Sequence, residues 1–402
     1  MSGGAMTQGD PTSTPATAAL ATTRRIRALM IGMDWFPDVR DGGLNRYFFE
    51  QVNASPSSGI EGVALVSACQ QCDGALSVRP LAGGGASLPA RLGGARAQIA
   101  QAVREGIDVI DSHFALYTYP GLLHLKGLPI VTHFHGPFAA EIRAESRGFR
   151  TWARATFARR VELAVLKQAA RVITLSHAFA RIAREDYGVP RDRIRVIPGG
   201  LNLSAYLNVD RSQARARLGW PENRPILIAI RRLARRMGLE GLIDAMKILS
   251  ARHPDVLLMI GGKGELAGEL GSRIADAGLS EHVRLLGFIP EQDLPFAYAA
   301  ANFSIVPTLA LEGFGLITVE SLASGTPVLG TSIGGTPEIL RGLEPSLIFN
   351  STEPEAIADR IIEALSGRIP VPSAQQCREY AARFDWAAVM PQIRAVFDEV
   401  LA

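Results

Sequence analysis

Short apolar runs alternate with helical stretches along most of this chain, and the alternation starts again near its midpoint. In the first half, Ile26–Ile31, Val63–Val66, Val109–Asp111, Ile130–His133, Val172–Leu175 and Ile194–Ile197 read as strands, and Leu88–Arg104 as a helix. A polar stretch at 201–224, with Pro221 followed by Pro225, reads as a linker. Beyond it, Pro225–Ile230, Val256–Ile260, Val283–Leu286, Phe303–Pro307, Val328–Gly330 and Leu347–Phe349 read as strands, with a helix at Leu239–Arg252. Near-continuous apolar strands suit a sheet covered on both faces, and parallel neighbours need a crossover, usually helical. The expected fold is therefore α/β: two doubly wound, Rossmann-like domains facing each other across a cleft. Ligands of such sheets bind beyond the carboxyl ends of the strands. The expected units are a disordered tail over 1–25, domains over 26–203 and 204–380, and a last segment over 381–402.

Composition narrows the function. With 402 residues there is room for two cores, and 47% apolar with 20% charged residues is ordinary for a soluble globular protein. A net charge of +3 makes no case for nucleic acid. The three cysteines are few and odd in number, which argues against a disulfide framework and fits a reducing compartment. Cys69-Gln-Gln-Cys72 has CxxC spacing without a second pair, so two small buried residues are expected rather than zinc. The tail lacks the apolar stretch of a signal, and no run reaches the length of a membrane span. A cytoplasmic protein is expected, with peripheral contact at the inner membrane face left open.

The chemistry concentrates in Glu312-Gly-Phe-Gly-Leu-Ile-Thr-Val-Glu320, between an apolar strand and an apolar helix. A helix start offers unpaired backbone N–H groups that bind phosphate. Carboxylates cannot bind phosphate, so Glu312 and Glu320 suggest hydroxyls of a sugar and a ribose on either side of it. Amides near Leu316 and Ile317, after Phe314 and Gly315, would meet the diphosphate. Arg231, Arg232, Arg235 and Arg236 crowd a loop after a strand, where fixed guanidinium groups can neutralise a departing diphosphate. Asp41-Gly42-Gly43 is a glycine turn that lets phosphate approach the backbone. His133 and His135 end a strand and should point opposite ways, so one faces the cleft and shared zinc coordination is not expected. His113 is a weaker case of the same kind. Arg143, Arg147, Arg150 and Arg154 share one face if the segment is a single helix, with Phe149, Trp152 and Phe157 nearby. That face is read first as solvated, and second as a site for an anionic acceptor or membrane headgroups.

Together these motifs resemble the retaining glycosyltransferases of the two-domain GT-B fold, family GT4. The resemblance rests on the Glu312/Glu320 spacing, the arginine loop, Gly261-Gly-Lys-Gly264, Gly287-Phe-Ile-Pro290, and the run from Ser176-His177 to Ile194-Arg-Val-Ile-Pro-Gly-Gly-Leu-Asn202. It implies a nucleotide-diphosphate-sugar donor, and a glycan, lipid-linked or small-molecule acceptor hydroxyl. It implies no metal and no cofactor beyond the donor. Gly42, Gly43 and Gly262 would lie near the donor, His135 near the transferred sugar, and Arg232 on the diphosphate. Phe288 and Ile289 would touch the base, Glu312 the sugar and Glu320 the ribose. The helix Trp386–Leu401 would cross back onto the first domain. The family usually has a lysine five residues after Arg232; here that residue is Met237, and Arg236 is the expected substitute. The reading is a metal-independent retaining glycosyltransferase of polysaccharide or glycolipid assembly. The alternatives are a sugar-nucleotide epimerase or hydrolase on this fold, and a non-catalytic sugar-nucleotide-binding subunit.

Overall fold

The computed structural model describes residues 24–402 other than 37, 41, 146, 147, 207 and 208. Nearly all of the expected tail, Asp41 of the glycine turn and Arg147 of the basic face lie outside the described residues. Two wholly parallel sheets form. The first joins β1 (Ile26–Ile31), β2 (Ile60–Val66), β3 (Ser77–Pro80), β4 (Val109–Ser112), β5 (Ile130–Phe134), β6 (Arg171–Thr174) and β7 (Ile194–Val196) in the order β3-β2-β1-β4-β5-β6-β7. The second joins β8 (Ile226–Ile230), β9 (Leu257–Gly261), β10 (Val283–Gly287), β11 (Phe303–Val306) and β12 (Val328–Gly330) in the order β10-β9-β8-β11-β12. Each order reverses once, between β1 and β4 and between β8 and β11. At such a reversal the chain leaves neighbouring strands in opposite directions and opens a crevice at their carboxyl ends.

The apolar strand residues explain why the sheets are central. In β1, Ile26, Leu29, Met30 and Ile31 have no exposed surface, and Leu257, Leu258 and Met259 of β9 are equally enclosed. The C-terminal helix Trp386–Leu401 buries Trp386, Val389, Met390, Ile393 and Phe397 in one cluster with Ile26, Met30, Phe48 and Val52. Each such side chain contributes about 1.5–3 kcal/mol on burial. The end of the chain is thus part of the core of its beginning.

Three local expectations are corrected, and one strand forms that the sequence did not signal. Leu347–Phe349 is not a strand: a short turn at Pro345–Leu347 leaves a single bridge between Gly330 and Ile348. β3 carries too mixed a sequence, Ser-Val-Arg-Pro, to signal itself, and it survives as an edge strand where proline is tolerated. The basic segment is not one helix. It divides into Phe138–Glu145 and Phe149–Gln168, with Gly148 at φ 121°, a conformation that suits glycine. Finally, Cys69 and Cys72 are not two buried free thiols. The turn between β2 and β3 brings their Cα atoms to 5.4 Å and they form a disulfide, half-buried on both sides. Among the described residues, no helix is long and apolar enough to cross a membrane.

Candidate active site

The loop leaving β11 is held in an unusual shape. Leu311 has φ 55°, the one left-handed residue other than glycine among those described. Arg236 secures it twice: its carbonyl accepts from Leu309 N at 2.9 Å, and its guanidinium donates to the Leu311 carbonyl at 2.9 Å. Next in the chain, Glu312 accepts from Arg231 at 2.8 Å and from Thr308 at 3.3 Å. Gly315 then turns the chain at φ 87°; a Cβ there would sit 2.6 Å from the Thr336 hydroxyl. Helix Leu316–Ala323 starts immediately, with Leu316 and Ile317 half-buried at its open end. Phe314 turns inward, its ring 5.6 Å from that of Phe384 and packed over Gly199, so only its backbone is left for a ligand.

The arginine loop resolves into distinct roles. Arg232 is exposed. Arg235 is exposed and pairs with Glu240 and Glu269. Arg236 braces Leu311. Arg231 is buried, its side chain only 3% exposed beside Glu312. In the next loop, Gly261–Gly264, positions 262 and 264 must be glycine because their backbone lies flat on the arginine loop. Arg231 N donates to Gly261 and Leu233 N to Lys263, and a Cβ on Gly262 would fall 1.9 Å from the Arg231 carbonyl oxygen. At the neighbouring strand end, Lys263 stacks its ammonium 4.9 Å from the centre of the exposed Phe288 ring, and Ile289 packs on Gly261.

In the first domain, the switch point carries a buried polar chain. Asp111, at the end of β4, accepts from Gln51 at 2.7 Å and from His113 Nε2 at 3.0 Å. His133 Nε2 lies 3.0 Å from its other oxygen. Burial opposes the Asp111 charge, but the flanking imidazoles of His113 and His133 outweigh it and hold the carboxyl well below its usual range. Burial lowers His113 to about 4, so its ring is neutral near pH 7. A neutral His113 that donates from Nε2 must accept at Nδ1, where His135 Nε2 lies 3.0 Å away. His135, also held neutral by burial, therefore carries its proton on Nε2 and keeps an acceptor lone pair on Nδ1.

The expectation that His133 and His135 point apart is overturned. β5 stops at Phe134, the alternation lapses, and the two rings lie 5.9 Å apart at 17°. Nitrogens of His113, His133 and His135 come within 4.8 Å of one another. The rings nonetheless stack, His113 on His133 at 4.1 Å and 17°. Imidazole lone pairs lie in the ring plane, so stacked rings direct them side by side rather than onto one ion. The cluster fits a hydrogen-bonded chain better than a metal.

The two switch points face each other. A Cβ on Gly313 would fall 3.2 Å from the His135 carbonyl oxygen, and Ser176 donates to the Gly313 carbonyl at 2.6 Å. Glu338 of the second domain accepts from His177 N and Ala178 N at 2.8 Å each, capping helix His177–Glu185. Gly42, at φ 86°, opens helix Gly43–Ala54 with free space around both glycines. Four residues along, Arg46 donates to Glu320 at 2.9 Å, while Tyr298 donates to the other Glu320 oxygen at 3.0 Å. Burial raises the Glu320 carboxyl, and Arg46 counters it. Arg231, Arg46 and Tyr298 were not singled out from sequence as partners of these carboxylates, because the pairing spans up to 274 positions. A cavity of about 470 Å³ lined by Asp210, Ser324 and Arg378 opens at the far end of helix Leu316–Ala323 and takes no part in this constellation.

Two family models match successive stretches of the chain: Glycosyltransferase Family 4 over residues 41–205 and Glycosyl transferases group 1 over 210–384. The D-inositol 3-phosphate glycosyltransferase of Acidothermus cellulolyticus is 30% identical over 318 residues, covering 75% of this chain and 70% of that protein. D-inositol 3-phosphate glycosyltransferase 1 of Catenulispora acidiphila is 29% identical over 89% of this chain and 90% of its own length. Among solved structures, Anabaena HepE in complex with UDP and glucose superposes with a TM-score of 0.72, at 22% identity, over 93% of this chain and all of that one. Paired parallel sheets, facing switch points and these matches agree: the chain is an enzyme of the group 1, family 4 glycosyltransferases, with the GT-B fold.

Proposed function

We propose that the cleft binds a nucleotide-diphosphate sugar and transfers its sugar, with retention of configuration, to an acceptor hydroxyl in glycan or glycolipid assembly. The observation that carries the reading is the meeting of Glu312, the open start of helix Leu316–Ala323 and His135 at the two facing switch points. Glu312 takes sugar hydroxyls, and His135 Nδ1 accepts from another. Backbone amides at Leu316 and Ile317, with Arg232 and Arg236, take the diphosphate. Charge grows on that group as the glycosidic bond breaks, so donors fixed around it favour the transition state over the bound ground state. The departing phosphate oxygen then serves as base for acceptor attack on the same face. Phe288 and Ile289 flank the base, and Gly42 and Gly43 close over the donor from the first domain. Glu320 serves the ribose by sharing its carboxylate with Arg46. The nucleotide in the HepE complex and the inositol phosphate in the names of the relatives support a sugar nucleotide and a hydroxyl acceptor.

The acceptor side favours a lipid-linked substrate. Phe149, Trp152 and Phe157 are 81%, 56% and 51% exposed, in company with exposed Arg150, Arg154 and Arg160 on the same helix. Aromatic rings and arginines together suit the headgroup region of an anionic membrane. The central test is turnover: Glu312→Ala and Arg232→Ala should each lower kcat about 100-fold or more with a small change in melting temperature. Unchanged turnover in both would refute the site. Steady sugar release or epimer formation without acceptor would instead favour a hydrolase or epimerase.

A further inference from the structure

We propose that Arg231 is an additional diphosphate-binding residue, filling the place that Met237 leaves without a cation. The inference rests on the sugar-nucleotide reading above and deepens it. Arg231 follows β8 directly, at the reversal between β8 and β11, and Glu312 comes from the loop after β11. Its terminal nitrogen lies 3.0 Å from Met237 Sδ and 2.8 Å from Glu312 Oε2. The Arg231 head and the Met237 tip thus occupy one place, reached from two backbone positions.

The guanidinium is over-supplied with donors for its surroundings. Nε and the second terminal nitrogen are buried and meet no acceptor among the described residues. One carboxylate answers one N–H of a group that has five and keeps its charge in proteins. An enclosed cation with unanswered donors is costly unless an anion joins it. A diphosphate supplies paired oxygens spaced for the guanidinium fork, and its growing charge during transfer strengthens that contact. Arg236 is less available, since it spends a donor on the Leu311 carbonyl. Glu312 then lies between Arg231 and the sugar, held in place by the same residue that grips the leaving group.

The test uses inorganic pyrophosphate, which requires no choice of base, alongside a panel of nucleoside diphosphates. Arg231→Met should weaken pyrophosphate binding by about 10- to 100-fold in calorimetry and lower kcat by at least as much, the loss expected for charge-assisted bonds to a buried anion. Adding Met237→Lys to that variant should restore most of both, because the ammonium would enter from the other backbone position. Arg231→Lys should fall between, keeping charge but losing the fork. Undiminished pyrophosphate binding in Arg231→Met, or a folded double variant with no recovery, would overturn the proposal. If Arg232→Ala loses binding while Arg231→Met keeps it, this inference fails and the donor site stands. If the native enzyme binds neither pyrophosphate nor any nucleoside diphosphate, both fail.

Discussion

Arg46 and Glu320 form a buried ion pair at 2.9 Å that joins the first helix of one domain to the site helix of the other. Arg46 is further held by Glu50 at 2.8 Å and Tyr206 at 3.0 Å, so its head is fixed on three sides. With Tyr298, Arg46 also fixes the orientation of the Glu320 carboxylate.

Breaking this pair should cost more than a surface bridge. Arg46→Met should destabilise the protein by about 3 kcal/mol, since it leaves Glu320 and Glu50 enclosed without their shared cation, and Glu320→Gln should cost less, since Arg46 keeps Glu50. The double variant should lose less than the sum of the two, by about 1–3 kcal/mol. Denaturant unfolding of all four proteins measures the coupling. Strict additivity would mean that the two charges do not interact.

Glu162 predicts a pH dependence with a definite sign. Its carboxyl is buried and accepts from Phe138 N and the Tyr187 hydroxyl, both at 2.9 Å. Burial raises it from 4.5 to about 7 despite those bonds. A carboxyl raised on folding prefers its protonated form in the native state. Its favourable share is therefore present below pH 4.5 and lost as pH rises towards 7. The loss is on the order of 3 kcal/mol at most. Melting temperatures across this window should fall less steeply with rising pH for Glu162→Gln than for the native chain. Parallel curves would place the slope elsewhere.

The exposed aromatic group on helix Phe149–Gln168 should matter for lipid and not for folding. Replacing Phe149, Trp152 and Phe157 together with serine should shift stability by well under 1 kcal/mol per site, as for other surface changes. It should abolish co-sedimentation with vesicles containing anionic phospholipid. Retained vesicle binding, or native protein that ignores such vesicles at low salt, would remove the membrane from the acceptor reading.

Much of the fold was legible because its signals are local. An apolar strand, a glycine turn and a helix start each depend on a few adjacent residues. Hence Leu88–Arg104, Leu239–Arg252 and Val328–Gly330 match the structure end for end. Where the local signal was weak or mixed, the reading slipped. β3 hides behind Arg79 and Pro80. The break at Gly148 depends on a left-handed backbone that spacing alone does not reveal. The expected alternation of His133 and His135 fails for a different reason: β5 ends at Phe134, where its pairing with β6 ends, so His135 lies outside the strand.

The site divides in the same way. Sequence by itself determined the parallel α/β grammar, the strand ends at which chemistry could sit, and the identity of Glu312, Glu320 and the arginine loop. Only the tertiary structure decided which arginine is enclosed beside Glu312, that Arg46 reaches Glu320, and that Asp111 orders His113 and His135 into one chain. The physical reason is that charge pairing and burial depend on distance in space. Residues far apart in the chain come within 3 Å through the packing of whole sheets, and no local pattern encodes that approach.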